Sequence, residues 1–390
     1  MPNSSQLGLY IHWPFCLSKC PYCDFNSHVS SDIDEEAWHK ALVTELHHMA
    51  ELSDHSAYGR RPLSSVFFGG GTPSLMPTKI MSSLITEAEK LFGFMADIEI
   101  TAEANPTSVE TAKLQGFQQA GVNRVSLGIQ SLDDTALSFL GRGHSANEAI
   151  KALELSRKLF DRVSIDLIYG LKDQSVADWE GQLSKTLSFD LDHLSLYQLT
   201  IEPGTQFYSR ARKGEVLNLD DDTMADLYLI TETQTAAHGL FNYEVSNYAR
   251  SGAQSRHNLL YWRCQDWLGI GPGAHGRLTQ INGRRETVTR RSPQGWLTQI
   301  QDKGHGISQS VVDNQAAICE EILMMGLRLS EGVPLSRLSQ LAGTSDWPFT
   351  RQQIEPLISE GWLSLENNQL IANFEGRLRL NYMLQALLAS

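Results

Sequence analysis

Two rhythms of apolar residues alternate along the first part of this chain. Nearly unbroken β-branched and aromatic runs ending in turn residues occur at 7–14, 65–71, 98–105, 124–131, 162–171 and 193–201. Each reads as a buried strand. Amphipathic stretches separate them: in 35–52, Trp38, Leu42, Leu46 and Met49 fall at helical spacing. Two later helices start at capping boxes, Thr107 with Glu110 and Ser145 with Glu148. The first of these is expected to end near Gly121, at the C′ position. Six strand–helix repeats predict a parallel sheet, because parallel strands need helical crossovers. Six units are fewer than the eight of a closed barrel. The expected fold is therefore α/β, a partial (β/α)6 TIM-like barrel. An open doubly wound sheet is the alternative that periodicity does not separate. Either architecture gathers its chemistry at the C-terminal ends of the strands.

Near residue 240 the rhythm breaks. Residues 241–309 are rich in Gly, Asn, Arg and aromatics without clear periodicity, which predicts a linker or lid over the barrel mouth. Residues 310–390 return to helices, at 314–330, 334–341 and 350–360, followed by a hairpin, WLSLENNQLIA, turning at Asn367–Asn368. The expected organisation is a barrel at 1–240, the linker or lid at 241–309, and a small winged-helix-like domain at 310–390. Winged helices often bind DNA, but this segment holds five Arg, no Lys and nine acidic residues. A structural or protein-contact role is the expectation.

Charge extends that argument to the whole chain. The 32 basic and 45 acidic residues give a net charge of −13, whereas nucleic-acid partners need clustered Lys and Arg. Nowhere is there a run of about 18 apolar residues, as a membrane span requires. The opening MPNSSQLGLY has neither the basic nor the apolar region of a signal peptide. The expectation is a cytoplasmic protein that meets the inner membrane only through partners. Of the five cysteines, Cys264 and Cys319 read as small buried hydrophobes, while Cys16, Cys20 and Cys23 crowd one short loop after the first strand. In a reducing compartment such a cluster reads as metal-binding. Soft thiolates suit zinc or an iron–sulfur cluster. Structural zinc wants four ligands, and His12 or His28 could add the fourth. A [4Fe–4S] cluster held by three thiolates would instead keep one iron open.

The run Tyr10-Ile-His-Trp-Pro-Phe-Cys16-x3-Cys20-x-Tyr22-Cys23, the turn Gly69-Gly70-Gly71-Thr72-Pro73 after the second strand and the (β/α)6 pattern together resemble the radical S-adenosylmethionine (SAM) superfamily. More narrowly they resemble its oxygen-independent coproporphyrinogen III oxidase branch, comprising HemN and the related HemW haem chaperones. The resemblance implies a [4Fe–4S] cluster on Cys16, Cys20 and Cys23, SAM at its open iron, and reductive cleavage of SAM to a 5′-deoxyadenosyl radical. Matched by motif, the SAM-contacting positions are Tyr10, Tyr22, Gly70, Gly71, Thr72, Glu103, Gln130, Arg142 and Asp166. Carboxylates suit ribose hydroxyls and the planar fork of Arg142 suits a carboxylate. Two features depart from HemN: Phe25 stands where HemN has a fourth cysteine, and only fifteen residues precede Cys16.

A last motif, His257-Asn258-x-x-Tyr261-Trp262, resembles the haem-binding H-N-x-x-Y-W of the HemW relatives. Neutral imidazole is a normal axial ligand of haem iron, and Tyr261 and Trp262 offer broad faces to a porphyrin. The plainer reading is a packed aromatic cluster with a hydrogen-bonded histidine. Arg284, Arg285, Arg290 and Arg291 could pair with haem propionates, and Gly269–His275 reads as a structural glycine-rich turn. The favoured function is a haem chaperone that delivers haem to haem-requiring proteins, including respiratory membrane enzymes, with a homodimer as its implied assembly. The alternative is an enzyme, anaerobic coproporphyrinogen III oxidase; whether SAM is cleaved in the working cycle stays open.

Overall fold

The computed structural model describes residues 6–30, 32–342 and 351–388. All six expected strands form: β1 (Leu7–Trp13), β2 (Leu63–Gly70), β3 (Phe94–Ala104), β4 (Arg124–Gln130), β5 (Arg162–Tyr169) and β6 (His193–Gln198). They lie parallel and side by side in chain order. Helices α1 (Glu35–Asp54), α2 (Thr78–Phe92), α3 (Leu114–Gln119), α4 (Ala146–Leu159) and α5 (Val176–Leu187) make the crossovers, and α6 (Asp221–Ala237) follows β6. Parallel crossovers are right-handed, so a strand order that never reverses keeps every helix on one face. A doubly wound sheet must reverse its order. The sequential order, with α1 packed on α2, α2 on α3, α3 on α4 and α5 on α6, therefore decides for the partial barrel.

The helix expected between Thr107 and Gly121 is broken. Thr107 caps one turn, Ser108–Thr111, and α3 resumes at Leu114. The Glu110 carboxylate turns inward, accepting hydrogen bonds from Asn105 N (2.8 Å) and the Ser74 hydroxyl. Satisfying the end of β3 takes precedence over prolonging the helix.

Residues 241–309 are the larger correction. The expected linker or lid is regular structure that widens the sheet: β7 (Phe241–Glu244), β8 (Asn247–Ala249), α7 (Arg256–Trp262), β9 (Asp266–Ile270), β10 (His275–Gln280), β11 (Gly283–Thr289), α8 (Pro293–Lys303) and β12 (Ile307–Asp313). The sheet runs β12-β11-β10-β9-β1-β2-β3-β4-β5-β6-β8-β7. Here β9 lies parallel to β1, and the strands outside β9 and β6 are antiparallel. These strands are three to seven residues long, and the antiparallel neighbours β7–β8 and β10–β11 follow each other without the helical crossovers that give the first part of the chain its rhythm. A buried carboxylate fastens the addition to the barrel. Glu45 of α1 accepts hydrogen bonds from Gly271 N (2.7 Å), Gly306 N (2.7 Å) and Trp296 Nε1 (2.9 Å). Above it the Trp38 and Trp296 rings stack at 5.1 Å.

Beyond lies a second core. Helices α9 (Gln315–Gly326), α10 (Leu335–Ala342) and α11 (Arg351–Ser359) precede the expected hairpin, β14 (Leu363–Glu366) and β15 (Gln369–Ala372), with β13 (Val333–Pro334) as a third strand on β15. Residue 350 of the expected 350–360 helix lies outside the described residues. The hairpin turns where expected, with φ of 49° at Asn367 and 64° at Asn368, both in the left-handed region that a two-residue turn needs. Two helices that the sequence reading omitted, α12 (Phe374–Leu378) and α13 (Leu380–Leu388), close the unit. Ile322, Leu323, Leu338, Leu357, Leu370 and Met383 form its core, joined by Cys264 and Cys319, which are the small buried hydrophobes expected.

Candidate functional site

The three cysteines sit on a loop that leaves β1 and is tied at its base. Phe15–Cys16 pairs with His28–Val29, and His28 N donates to Pro14 O (2.7 Å). Within the loop Cys23 N donates to Cys20 O (3.1 Å), and Phe207 N reaches Pro21 O (2.9 Å). Burial raises the Cys16 and Cys23 thiols above their ordinary values, so a thiolate there wants a cation. Among the described residues no three His, Cys, Asp or Glu side chains gather closely enough to hold one metal ion. A single zinc with 2.3 Å bonds would draw its sulfurs to within about 4 Å of one another. Nor is His12 a spare ligand, since its Nδ1 faces Tyr10 Oη (3.0 Å) and its Nε2 faces Asn26 O (2.9 Å). Three thiols around an open space suit a multi-iron cluster better than zinc.

That space is a cavity of about 470 Å3 at the C-terminal ends of β2 to β6. Of the expected SAM positions, Tyr22, Gly70, Gly71, Thr72, Glu103, Gln130, Arg142 and Asp166 line it together with the three cysteines. Thr72 donates to Cys16 Sγ (3.3 Å). Gly70 and Gly71 form a cradle. At Gly70 φ is 118° and a Cβ would lie 2.7 Å from the His12 ring, while at Gly71 it would lie 2.8 Å from Pro14 C. Only glycine lets the turn pack so closely against His12 and Pro14. Arg142 donates to Cys20 Sγ (3.5 Å), Tyr22 Oη (3.4 Å), Gly128 O (2.8 Å) and Asn105 Oδ1. Its Nε is buried without a partner. Burial works against the Arg142 charge, but Tyr22 and Cys20 beside it hold the guanidinium above its ordinary value. Burial, then the nearby Asp166, push the Glu103 carboxyl up to about 8, although Gly70 N donates to it. Asp166 is also raised by burial, against hydrogen bonds from Ser195 and Ser126 (the latter 3.0 Å). Gln130 ends β4 with φ at 69°, unusual for a side-chain-bearing residue and often a mark of function.

Tyr10 is placed elsewhere. It lines a second cavity of about 540 Å3 that shares Gly70, Glu103 and Phe25 with the first. Tyr261, Trp262, Trp267, His275, Arg291 and Met325 also border it. The H-N-x-x-Y-W residues thus divide. Tyr261 faces this cavity, Trp262 borders both it and a separate cleft with Glu244 and Arg328, and Asn258 lines that cleft alone. His257, 1% exposed, lines no cavity described here. Its Nδ1 meets Ser65 Oγ and its Nε2 meets Tyr261 Oη, both at 2.7 Å. Burial lowers its pKa to about 3. With both nitrogens engaged, His257 is not poised as an iron ligand; the plainer reading of a hydrogen-bonded packing histidine describes it. The basic patch also thins out. Arg284 is buried against Glu321 (2.6 Å), Arg285 donates to Ser310 Oγ (2.9 Å), and of the four only Arg291 reaches the cavity.

The sequence reading passed over Asn105, Ser126 and His144, and took His275 only as the end of a structural turn; the cavities include all four. Asn105, two residues beyond Glu103 at the same strand end, carried the one signal that could have been read.

Residues 10–183 match the radical SAM superfamily, and residues 314–379 match the HemN C-terminal domain. The chain is 40% identical over 393 residues to radical S-adenosyl methionine domain-containing protein 1, mitochondrial, of Mus musculus, covering 99% of this chain and 88% of that one. It is 38% identical over 393 residues to the heme chaperone HemW of Escherichia coli (strain K12), covering all of both chains. Among solved structures, coproporphyrinogen III oxidase (HemN) from Escherichia coli superposes with a TM-score of 0.81 at 20% identity, covering 98% of this chain and 90% of that one, a likeness of fold. Cluster loop, glycine cradle and strand order agree with full-length relatedness, and the chain belongs to the radical SAM superfamily, in the branch of HemN and HemW.

Proposed function

We propose that this chain is a haem chaperone. It holds a [4Fe–4S] cluster on Cys16, Cys20 and Cys23 with SAM in the first cavity, and carries haem in the second. One observation carries the reading: an aromatic cavity that contains Tyr261 and Trp262 of the H-N-x-x-Y-W motif and shares a wall with the cysteine cavity. Its size falls within the range of small-molecule sites, about 300–1,000 Å3. Trp262, which borders this cavity, has a buried Nε1 without a hydrogen-bond partner.

The first cavity suits its group equally well. When bound, the cluster supplies one-electron chemistry. The protein contributes three thiols, a cradle at Gly70–Gly71 for the polar end of SAM, the Arg142 fork for a carboxylate, and Glu103 and Asp166 for hydroxyls. Full-length relatives bearing the name heme chaperone support the same assignment. The cargo goes to haem-requiring proteins, respiratory membrane enzymes among them, and a homodimer is the proposed assembly. Among the described residues no helix is long and apolar enough to cross a membrane, so acceptors in a bilayer would be reached by contact.

Haem titrated into the purified full chain, followed at the Soret band, tests the proposal. Saturable binding of one haem per chain is expected, weakened when Trp262 is replaced by Ala. A Soret change that never saturates, or one indifferent to Trp262, overturns it. Incubated anaerobically with reductant, SAM and coproporphyrinogen III, the reconstituted chain is expected to form no protoporphyrinogen.

A further inference from the structure

Three imidazoles lie in or beside the second cavity, and the fold leaves one of them free. His12 uses both ring nitrogens, on Tyr10 Oη and Asn26 O. His257 uses both, on Ser65 and Tyr261, outside the cavity. His275 lines the cavity, is solvent-accessible, and its ring has no hydrogen-bond partner among the described residues. Its backbone, by contrast, is held on two sides: Trp267 Nε1 donates to His275 O (3.0 Å), and the residue pairs with Val288 on β11. An imidazole on a fixed backbone with a free ring nitrogen can take a metal, while its other nitrogen is left to donate to water or to the bound group.

The surroundings fit an iron tetrapyrrole. Phe25, Tyr261, Trp262 and Trp267 supply apolar faces, and Met325 of α9 adds a thioether. Arg291 borders the same space and makes no ion pair among the described residues. Its main chain is pinned, since Arg291 O accepts from Asn26 Nδ2 (2.9 Å). A free guanidinium beside a planar apolar cavity suits the carboxylate of a propionate.

We propose that His275, rather than His257, is the axial ligand of haem in the second cavity, and that Arg291 receives a propionate. His257 is a positioning residue, fixing the Tyr261 phenol through its Nε2. This assignment rests on the haem reading above and names the ligand within it.

The test compares haem titrations of the full-length wild type, His275→Ala, His257→Ala and, as a remote control, His305→Ala. Loss of a group that merely orients a metal ligand costs about 10–100-fold in metal affinity, so loss of the ligand itself should cost roughly tenfold or more. In His275→Ala the ferric Soret position and spin state should change as well, and free imidazole should restore them. In His257→Ala the affinity should fall with the wild-type ligand-field spectrum retained, and imidazole should have no effect. The His275 side chain is solvent-accessible, so its removal should leave the melting curve unchanged, and rescue by imidazole itself demands a folded cavity. If wild type binds haem but His275→Ala keeps the wild-type spectrum, the assignment fails and the haem reading stands. If wild type binds no haem, both fail.

Discussion

The two cavities share Gly70, Glu103 and Phe25, yet they are built by opposite means. The first stands on the C-terminal ends of consecutive parallel strands, and its cysteines come from a single eight-residue loop segment. The second is assembled from β1, α7, the turn before β10, the end of β11 and α9, pieces far apart in the chain. A site made by local spacing announces itself as a motif, whereas one made by topology does not. The contrast can be broken experimentally by damaging one cavity and reading the other.

The largest effect should come from the cysteines. Replacing Cys16, Cys20 and Cys23 together by Ala should abolish uptake of about four irons per chain during anaerobic reconstitution, measured by iron assay and loss of brown colour. Haem affinity in the second cavity should stay within a few-fold of wild type. A parallel loss of haem binding would show that the two cavities work as one. Next in size is Gly71→Val. Its Cβ would fall 2.8 Å from Pro14 C, a backbone atom with nowhere to go. The chain should lose about 1–3 kcal/mol of stability by thermal denaturation, together with calorimetrically measured SAM binding, again with haem spared.

Tyr261→Phe probes the second cavity through its support. The phenylalanine keeps the ring but leaves His257 Nε2 buried without its 2.7 Å partner, at a cost of about 1–3 kcal/mol. Chemical denaturation should read that loss. If Tyr261→Phe is as stable as wild type, the Ser65–His257–Tyr261 chain is not what positions the aromatic wall.

This division also explains what could be read in advance. Four of the six strands, β1, β2, β4 and β5, were legible as β-branched or aromatic runs buried on both faces, as parallel strands are. The cysteine loop was legible from its spacing, whereas Gly70–Gly71 and Arg142 were legible only through the resemblance to the superfamily. The parallel pairing of β9 on β1 was not, since Asp266–Ile270 is a five-residue piece whose partner lies more than 250 residues earlier. That both nitrogens of His257 are engaged, by Ser65 and Tyr261, was not legible, because a motif names residue types and not which way a ring faces. His275 drew little weight because it ends a glycine-rich run that reads as a structural turn; only the fold brings Arg291 and Met325 to the same cavity.

Two buried groups, Glu103 in the wall shared by the cavities and His257 behind Tyr261, should respond to pH with opposite sign. Glu103 is raised to about 8 in the folded chain from 4.5, so between those values the folded state holds a proton that the unfolded state has released. Its contribution falls as pH rises through that window, by up to about 1.4 kcal/mol per pH unit. His257 is lowered to about 3 from 6.5, so the unfolded state takes up the proton first and the contribution is lost as pH falls below 6.5. Relative to wild type, ligand-free Glu103→Gln should therefore gain stability from pH 5 to about 8, and His257→Gln should gain from pH 6.5 down to about 4. Denaturant midpoints across this range would show it, and trends of the same sign would refute the contrast.

The smallest effect should come from Phe25, which borders both cavities and stands where HemN has a fourth cysteine. Its side chain is 60% exposed, so little packing depends on it. If three thiolates already complete the protein's share of the cluster, Phe25→Cys should leave the iron count unchanged at about four. Haem affinity should drop only slightly, because one aromatic face of several is lost, worth about 0.5–1.5 kcal/mol. Electron paramagnetic resonance of the reduced cluster, with and without SAM, gives the sharper readout. A SAM-dependent change that survives in Phe25→Cys means the open iron stays open, and the difference from HemN at this position is then a matter of the second cavity's wall. A SAM-insensitive cluster in the variant would mean instead that the new thiol has closed the open iron, and that position 25 belongs to the first cavity after all.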